Sequence, residues 1–165
     1  KTKLGAWEYD IVGPWFKCNM TDIMAAIGLV QLKRYPSLIQ RRYEIVKKYD
    51  EAMDAMHIEH IQHISDVYHS SAHLYMIRIP DISVEQRNEI ITRMAENGVA
   101  TNVHYKPLPM MSGYKAFGWD IKDFSNAYRL YHNEITLPLH TLLSDEDVEI
   151  VVQTLRNTLE EMKLL

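Results

Sequence analysis

The stretch from His73 to Pro109 constrains the fold more than any other part of the chain, because it spells out three elements together with their stops. HLYMIRIP places Tyr75, Ile77 and Ile79 on one face of a strand that Pro80 closes, since proline donates no backbone hydrogen bond. SVEQRNEIITRMAENG follows with a capping-box pattern at Ser83 and Gln86, an apolar stripe through Ile90, Ile91 and Met94, and Gly98 where helices stop in the left-handed region. TNVHY then alternates, with Thr101, Val103 and Tyr105 pointing one way and Asn102 and His104 the other, until Pro107 and Pro109 end the ladder. Strand, capped helix and strand in that order call for helices layered on a sheet.

The flanking segments extend this pattern. Met20, Ile23, Met24, Ile27 and Val30 fall at helical spacing behind Thr21 and Asp22, which predicts a helix over residues 21–35. Pro36 ends that helix or restarts a second one, on which Leu38, Ile45, Tyr49, Met53 and Met56 share a side while Arg41, Arg42, Lys47 and Lys48 form a solvated face. Residues 106–121 lack a period and carry prolines, glycines and aromatics, as an ordered loop does. DFSNAYRLYHN reads as a short helix and ITLPL as a short strand. SDEDVEIVVQTLRNTLEEM is a closing helix, capped by Ser144 and striped by Val148, Val151, Val152, Leu155, Leu159 and Met162. The expected class is α/β (α+β), with helices packed on a small, mostly antiparallel sheet.

Composition narrows the function. At 165 residues, 47% of them apolar, the chain can bury a core without disulfide or metal. A formal charge of −4, with Lys and Arg scattered, leaves no footprint for nucleic acid or anionic lipid. No apolar run approaches the ~20 residues that span a bilayer, and the first residues lack the charged, apolar and small-residue pattern of a signal peptide, so none is expected. Cys18 is the single cysteine and is expected to be small and half-buried packing, so a reducing, cytoplasmic setting fits best. The opening KTKLGAWEYD has no initiator Met, and a piece of a longer protein is expected.

Three constellations invite a chemical reading. His57, His60 and His63 recur every third residue with His69 and His73 nearby, but that spacing drifts around a helix and splits across the faces of a strand, so no metal site is expected. Asp145, Glu146 and Asp147 sit in a first helical turn, where the helix dipole accounts for them. His104 differs: an imidazole beside Asn102 on the polar face of a short strand, adjacent to Tyr105 and followed by a proline-fixed aromatic loop, has rigid support and access to a cleft. At the N-terminus Trp7, Tyr9, Trp15 and Phe16 crowd together, and Lys17 and Asn19 precede a helix start that suits an anion such as phosphate.

Four segments, in order and in register, carry a resemblance. YDIVGPWFKCNMTDIMAAIGLVQLKR, RRYEIVKKYDEAM, NGVATNVHYKPLP and ITLPLHTLLSDEDVEIVVQTL resemble the C-terminal small domain of DegT-type, pyridoxal-phosphate-dependent nucleotide-sugar aminotransferases of fold type I. The resemblance implies a homodimeric enzyme that moves an amino group from an amino acid, glutamate being expected, to a keto-sugar nucleotide. Residues 1–20 would then join to the large domain and reach toward the partner, and residues 21–165 would form the small domain. It further implies that Lys17 or Asn19 contacts the cofactor phosphate, and that His104, with Tyr105 and Asn102, lies by the sugar. The Schiff-base lysine belongs upstream of Lys1, and neither Lys1 nor Lys3 has the family's setting for it, so the fragment alone should be inactive. Departures are Trp15 for the usual Gly, Cys18 for Tyr, and Met24 for Gln or Asn. A dehydratase of the same family, with histidine in place of that lysine, and a free-standing helical interaction module are the alternatives.

Overall fold

The computed structural model describes Phe16 and residues 18–165, so Lys17, together with Trp7, Tyr9 and Trp15 of the aromatic cluster, lies outside the described residues. The chain divides into two compact units, 1–35 and 36–165. The first helix, α1 (Asp22–Ala55), has residues in both.

In the first unit Thr21 caps as expected, its Oγ1 accepting from the Met24 amide at 3.3 Å, and Asp22 occupies the first turn. The stripe of Met20, Ile23, Met24, Ile27 and Val30 is exposed. Cys18 is exposed too, not half-buried, because it lies ahead of the first turn and outside any packed element. Pro36 neither ends nor restarts the helix. Its ring removes the one amide that would bond the carbonyl four residues back, while the residues on either side keep the helical conformation.

The second unit is built around a three-stranded antiparallel sheet in the order β1 (Glu59–His60), β2 (Tyr75–Arg78), β3 (Glu134–Leu137). Tyr75 pairs with Leu137 and Ile77 with Ile135, so β2 and β3 share a largely apolar face, which His60 of β1 joins opposite Ile77. Against it pack Ile45, Tyr49 and Met53 of α1, Ile90 and Met94 of α2 (Val84–Glu96), and Leu155 and Leu159 of α5 (Asp145–Glu161), all fully buried. Each such side chain contributes roughly 1.5–3 kcal/mol by leaving water. The sheet is antiparallel and the helices cover it, in agreement with the expected class.

Local signals hold the helix ends. Ser83 and Gln86 close a reciprocal capping box on α2, and Ser144 and Asp147 close one on α5. Gly98 has φ +82°, and the Val99 amide reaches back to the Met94 carbonyl at 2.9 Å, so the stop after α2 uses the left-handed conformation only glycine takes freely. Asp145 at the head of α5 is 2.9 Å from both Lys48 and Arg41 of α1, and these two cations hold its carboxyl below the usual range.

Two further expectations need correction. TNVHY is not a strand: it contributes one antiparallel bridge, Asn102 with Thr136, on the edge of β3 away from β2. Beyond that bridge the His104 amide bonds a side chain instead of a backbone carbonyl, so the ladder stops and the alternation of faces stops with it. Residues 106–121 are also more regular than a loop, with 3₁₀ turns at Leu108–Met110 and from Ile121 and a single turn of helix, α3 (Ser112–Lys115), between them. The short helix α4 (Ser125–Tyr131) leads into β3 as expected.

Candidate functional site

β3 carries an alternating sequence, Glu134-Ile135-Thr136-Leu137. Ile135 and Leu137 enter the core, which leaves Glu134 and Thr136 together on the opposite face. That face is also buried, with Glu134 4% and Thr136 5% exposed, so both polar groups need partners. They find them in each other and in His104. The Thr136 hydroxyl donates to Glu134 Oε1, the His104 amide donates to Glu134 Oε2 at 2.9 Å, and His104 Nδ1 lies 2.8 Å from Thr136 Oγ1. The main chains are joined as well, with the Thr136 amide 2.7 Å from the Asn102 carbonyl.

The start of β3 is held from behind by Arg87 of α2. Its guanidinium is buried, donates to the Tyr131 carbonyl at 3.1 Å and the Glu134 carbonyl at 3.3 Å, and lies 4.8 Å over the Tyr131 ring. Both bonds come from Nη1, whose two hydrogens tie the carbonyls on either side of the turn between α4 and β3, while Nε donates to Asn88 Oδ1 at 2.8 Å.

His104 opens onto a cleft of about 500 Å³. Its walls come from the Pro107–Pro109 turn, from Trp119, and from Phe124, Leu130 and Tyr131 around α4. Tyr105 stands beside His104 with its ring edge-on at 4.6 Å, 70% exposed and on the same cleft, not on the far side from His104 as strict alternation requires. Trp119 is fixed by stacking on Tyr114 at 5.9 Å. The result is a largely aromatic cavity with an imidazole at one wall, a combination suited to a ring-shaped ligand that carries hydroxyl groups.

Of the residues singled out from sequence, His104 and Tyr105 meet in this cleft. Asn102 does not line it; its Oδ1 accepts from the Val103 amide at 2.8 Å. Asn19 lies in the other unit, exposed ahead of α1, and Lys17 is outside the described residues. Sequence reasoning missed Glu134, Thr136 and Arg87. The one signal for the first two was a carboxylate and a hydroxyl two apart in a strand otherwise apolar; for a buried arginine with partners 44 and 47 residues away there was none.

Elsewhere the histidines behave differently. Among the described residues no group of three or more His, Cys, Asp or Glu side chains converges to hold a metal ion. His60 lies 3.1 Å from both Asp50 and Asp54 carboxylates, and His63 is buried with Nδ1 2.7 Å from Ser70 Oγ.

The DegT/DnrJ/EryC1/StrS aminotransferase family model matches residues 3–156. Among curated relatives, the spore coat polysaccharide biosynthesis protein SpsC of Bacillus subtilis is 34% identical over 156 residues, which cover 93% of this chain and 40% of the relative. The UDP-4-amino-4,6-dideoxy-N-acetyl-beta-L-altrosamine transaminase of Campylobacter jejuni is 30% identical over 157 residues, covering 95% of this chain and 42% of the relative. Among solved structures, the putative sugar aminotransferase Spr1654 from Streptococcus pneumoniae in its PMP-form aligns with a TM-score of 0.84 and 52% identity, over 99% of this chain and 40% of that one. The chain thus spans about 40% of the length of the relatives it matches. With the match running through nearly all of its residues and the fold superposing on such enzymes, the chain belongs to the DegT/DnrJ/EryC1/StrS aminotransferase family.

Proposed function

We propose that the protein to which this chain contributes transfers an amino group from an amino acid, glutamate in our reading, to a keto-sugar carried on a nucleotide. In this reading residues 21–165 are its C-terminal small domain, residues 1–20 join it to a large domain, and the cleft beside His104 receives part of the sugar nucleotide. One observation carries the reading: the cleft's aromatic walls converge on an imidazole that buried groups of β3 hold in place. Aromatic faces take the apolar face of a sugar or a base, and a fixed imidazole orients it. The names of the relatives point to the same class, since the Campylobacter protein is a transaminase of a UDP-linked amino sugar and the Bacillus protein serves polysaccharide synthesis.

Pyridoxal phosphate, when bound, supplies the electron sink for such chemistry. The residues of the cleft do not fit it: the lining has no lysine to attach it and no Lys or Arg to meet its phosphate. The anchoring lysine would therefore come from residues preceding this chain, and the fragment alone would be inactive. Lys17 and Asn19 would meet the phosphate of the partner's cofactor in a homodimer. The single cysteine suits a reducing compartment, and in our reading the enzyme works in the cytoplasm.

The test is His104→Ala in the full-length protein, assayed on a panel of keto-sugar nucleotides. Loss of one well-placed hydrogen bond should lower kcat/KM for the sugar nucleotide by about 10- to 100-fold, the equivalent of ~1.4–2.8 kcal/mol. Cofactor absorbance and the half-reaction with the amino acid should stay near wild type. Unchanged kinetics with the sugar nucleotide would remove the cleft from the reaction.

A further inference from the structure

The network behind His104 has a direction. Glu134 is buried, and both its carboxylate oxygens accept: Oε2 from the His104 amide and Oε1 from the Thr136 hydroxyl. A hydroxyl has one hydrogen, and that of Thr136 is committed to Glu134. Toward His104 Nδ1, 2.8 Å away, Thr136 Oγ1 therefore has only lone pairs to offer, so the hydrogen between them belongs to the ring. A neutral imidazole with its hydrogen on Nδ1 has none on Nε2. Among the described residues Nδ1 carries the ring's only hydrogen bond, and the edge turned away from Thr136 belongs to a residue lining the cleft.

We infer that Thr136 and Glu134 are positioning residues that fix His104 in a single tautomer, so that its Nε2 accepts from a ligand hydroxyl or N–H and disfavours a carbonyl or carboxylate oxygen at that place. The inference deepens the proposed function and rests on it for the identity of the ligand. It assigns the imidazole a sorting role. A pocket that offers an acceptor welcomes a hydroxyl at one carbon of the sugar and discriminates against the deoxy or oxidised analogue at that carbon, because the nitrogen would be left unpaired or set against a lone pair. Arg87 contributes indirectly, since its bond to the Glu134 carbonyl fixes where β3 begins.

Nitrogen NMR of the full-length protein, labelled with ¹⁵N-histidine, decides the tautomer directly. The His104 signals are those lost in His104→Gln. At a pH above imidazole titration, Nδ1 should give a pyrrole-type resonance and Nε2 a pyridine-type resonance. The opposite assignment, or an even average of the two tautomers, would overturn the inference whatever the variants do. Thr136→Val should let the tautomers mix and raise KM for the sugar nucleotide about 5- to 10-fold, while Thr136→Ser should restore both the spectrum and KM. A Thr136→Val spectrum identical to wild type would also overturn it. The sugar nucleotide that the wild type turns over should shift the Nε2 signal. An Nδ1–H tautomer whose Nε2 ignores that compound at saturation would overturn the selecting role and the cleft's place in the reaction, and would leave the hydrogen-bond relay standing.

Discussion

The histidine-rich stretch from His57 to His73 and His104 differ in what their ring nitrogens are left to do. His60 and His63 sit with His57, His69 and His73 in the stretch richest in histidine, where His57, His69 and His73 are exposed, His60 is half-buried and His63 is buried. His60 has Asp54 at 3.1 Å on Nε2, and Asp50 at 3.1 Å on Nδ1, near enough for an ion pair although out of line for a hydrogen bond. His63 is 3% exposed, its Nε2 buried without a partner and its ring stacked 5.8 Å from Tyr75. His104 stands apart from them in sequence, with a carboxylate-backed threonine on one nitrogen and a cleft against the ring. The contrast teaches that the backing of one imidazole says more about a site than the number of imidazoles nearby. His60 and His63 serve the packing around Tyr75; at His104 the packing serves the histidine.

The largest expected difference between the two regions is in stability. Tyr75 is fully buried, lies 4.9 Å from the Tyr49 ring, stacks near both His60 and His63, and donates its hydroxyl to Asp50 at 2.7 Å. Tyr75→Ala should cost about 3–5 kcal/mol, the range for deleting a buried aromatic ring, in denaturant unfolding of the full-length protein. His104→Ala, by contrast, should leave the unfolding midpoint close to wild type. A loss below ~1 kcal/mol at Tyr75 would mean that the histidine-rich region is not part of the core, and the contrast would break.

A smaller effect should appear with pH. Burial pushes the His63 imidazole below its usual value, opposed by Asp50 and aided by His60. The folded state therefore binds fewer protons at His63 than the unfolded state, whose value is near 6.5. Stability from this residue is fully present above that pH and is lost as the pH falls through the folded-state value. Unfolding measured from about pH 8 down to about pH 5 should show an acid-side loss that is shallower in His63→Gln. Parallel curves for the two proteins would show that His63 is not held neutral by the fold.

Much of this architecture was legible in the sequence where the determinants are local. The capping box at Ser83, the cap at Ser144 and the stop at Gly98 depend on residues three or four apart, and all three stand where expected. Periodicity found the helices but not what covers them: Ile45, Tyr49 and Met53 are buried, whereas Ile23, Met24 and Ile27 of the same helix are exposed. The resemblance to a family, not periodicity, is what attached His104 to a sugar site. What stayed hidden is non-local. The strand expected at TNVHY shrinks to one bridge because its next amide is taken by Glu134, 30 residues on, and no pattern within TNVHY reports that. Pro36 continues a helix it was expected to interrupt, since one missing hydrogen bond is a bearable loss in a long helix. The turns within residues 106–121 obey no period, so the cleft they help to form could not be drawn in advance.

The most direct measurement is a crystal structure of the full-length protein with the sugar nucleotide it turns over. A ligand hydroxyl or N–H should lie within about 3 Å of His104 Nε2, with the ring of the sugar or base against Tyr105 and Trp119. A fully ordered ligand bound elsewhere, with His104 touching only solvent, would contradict the assignment of this cleft.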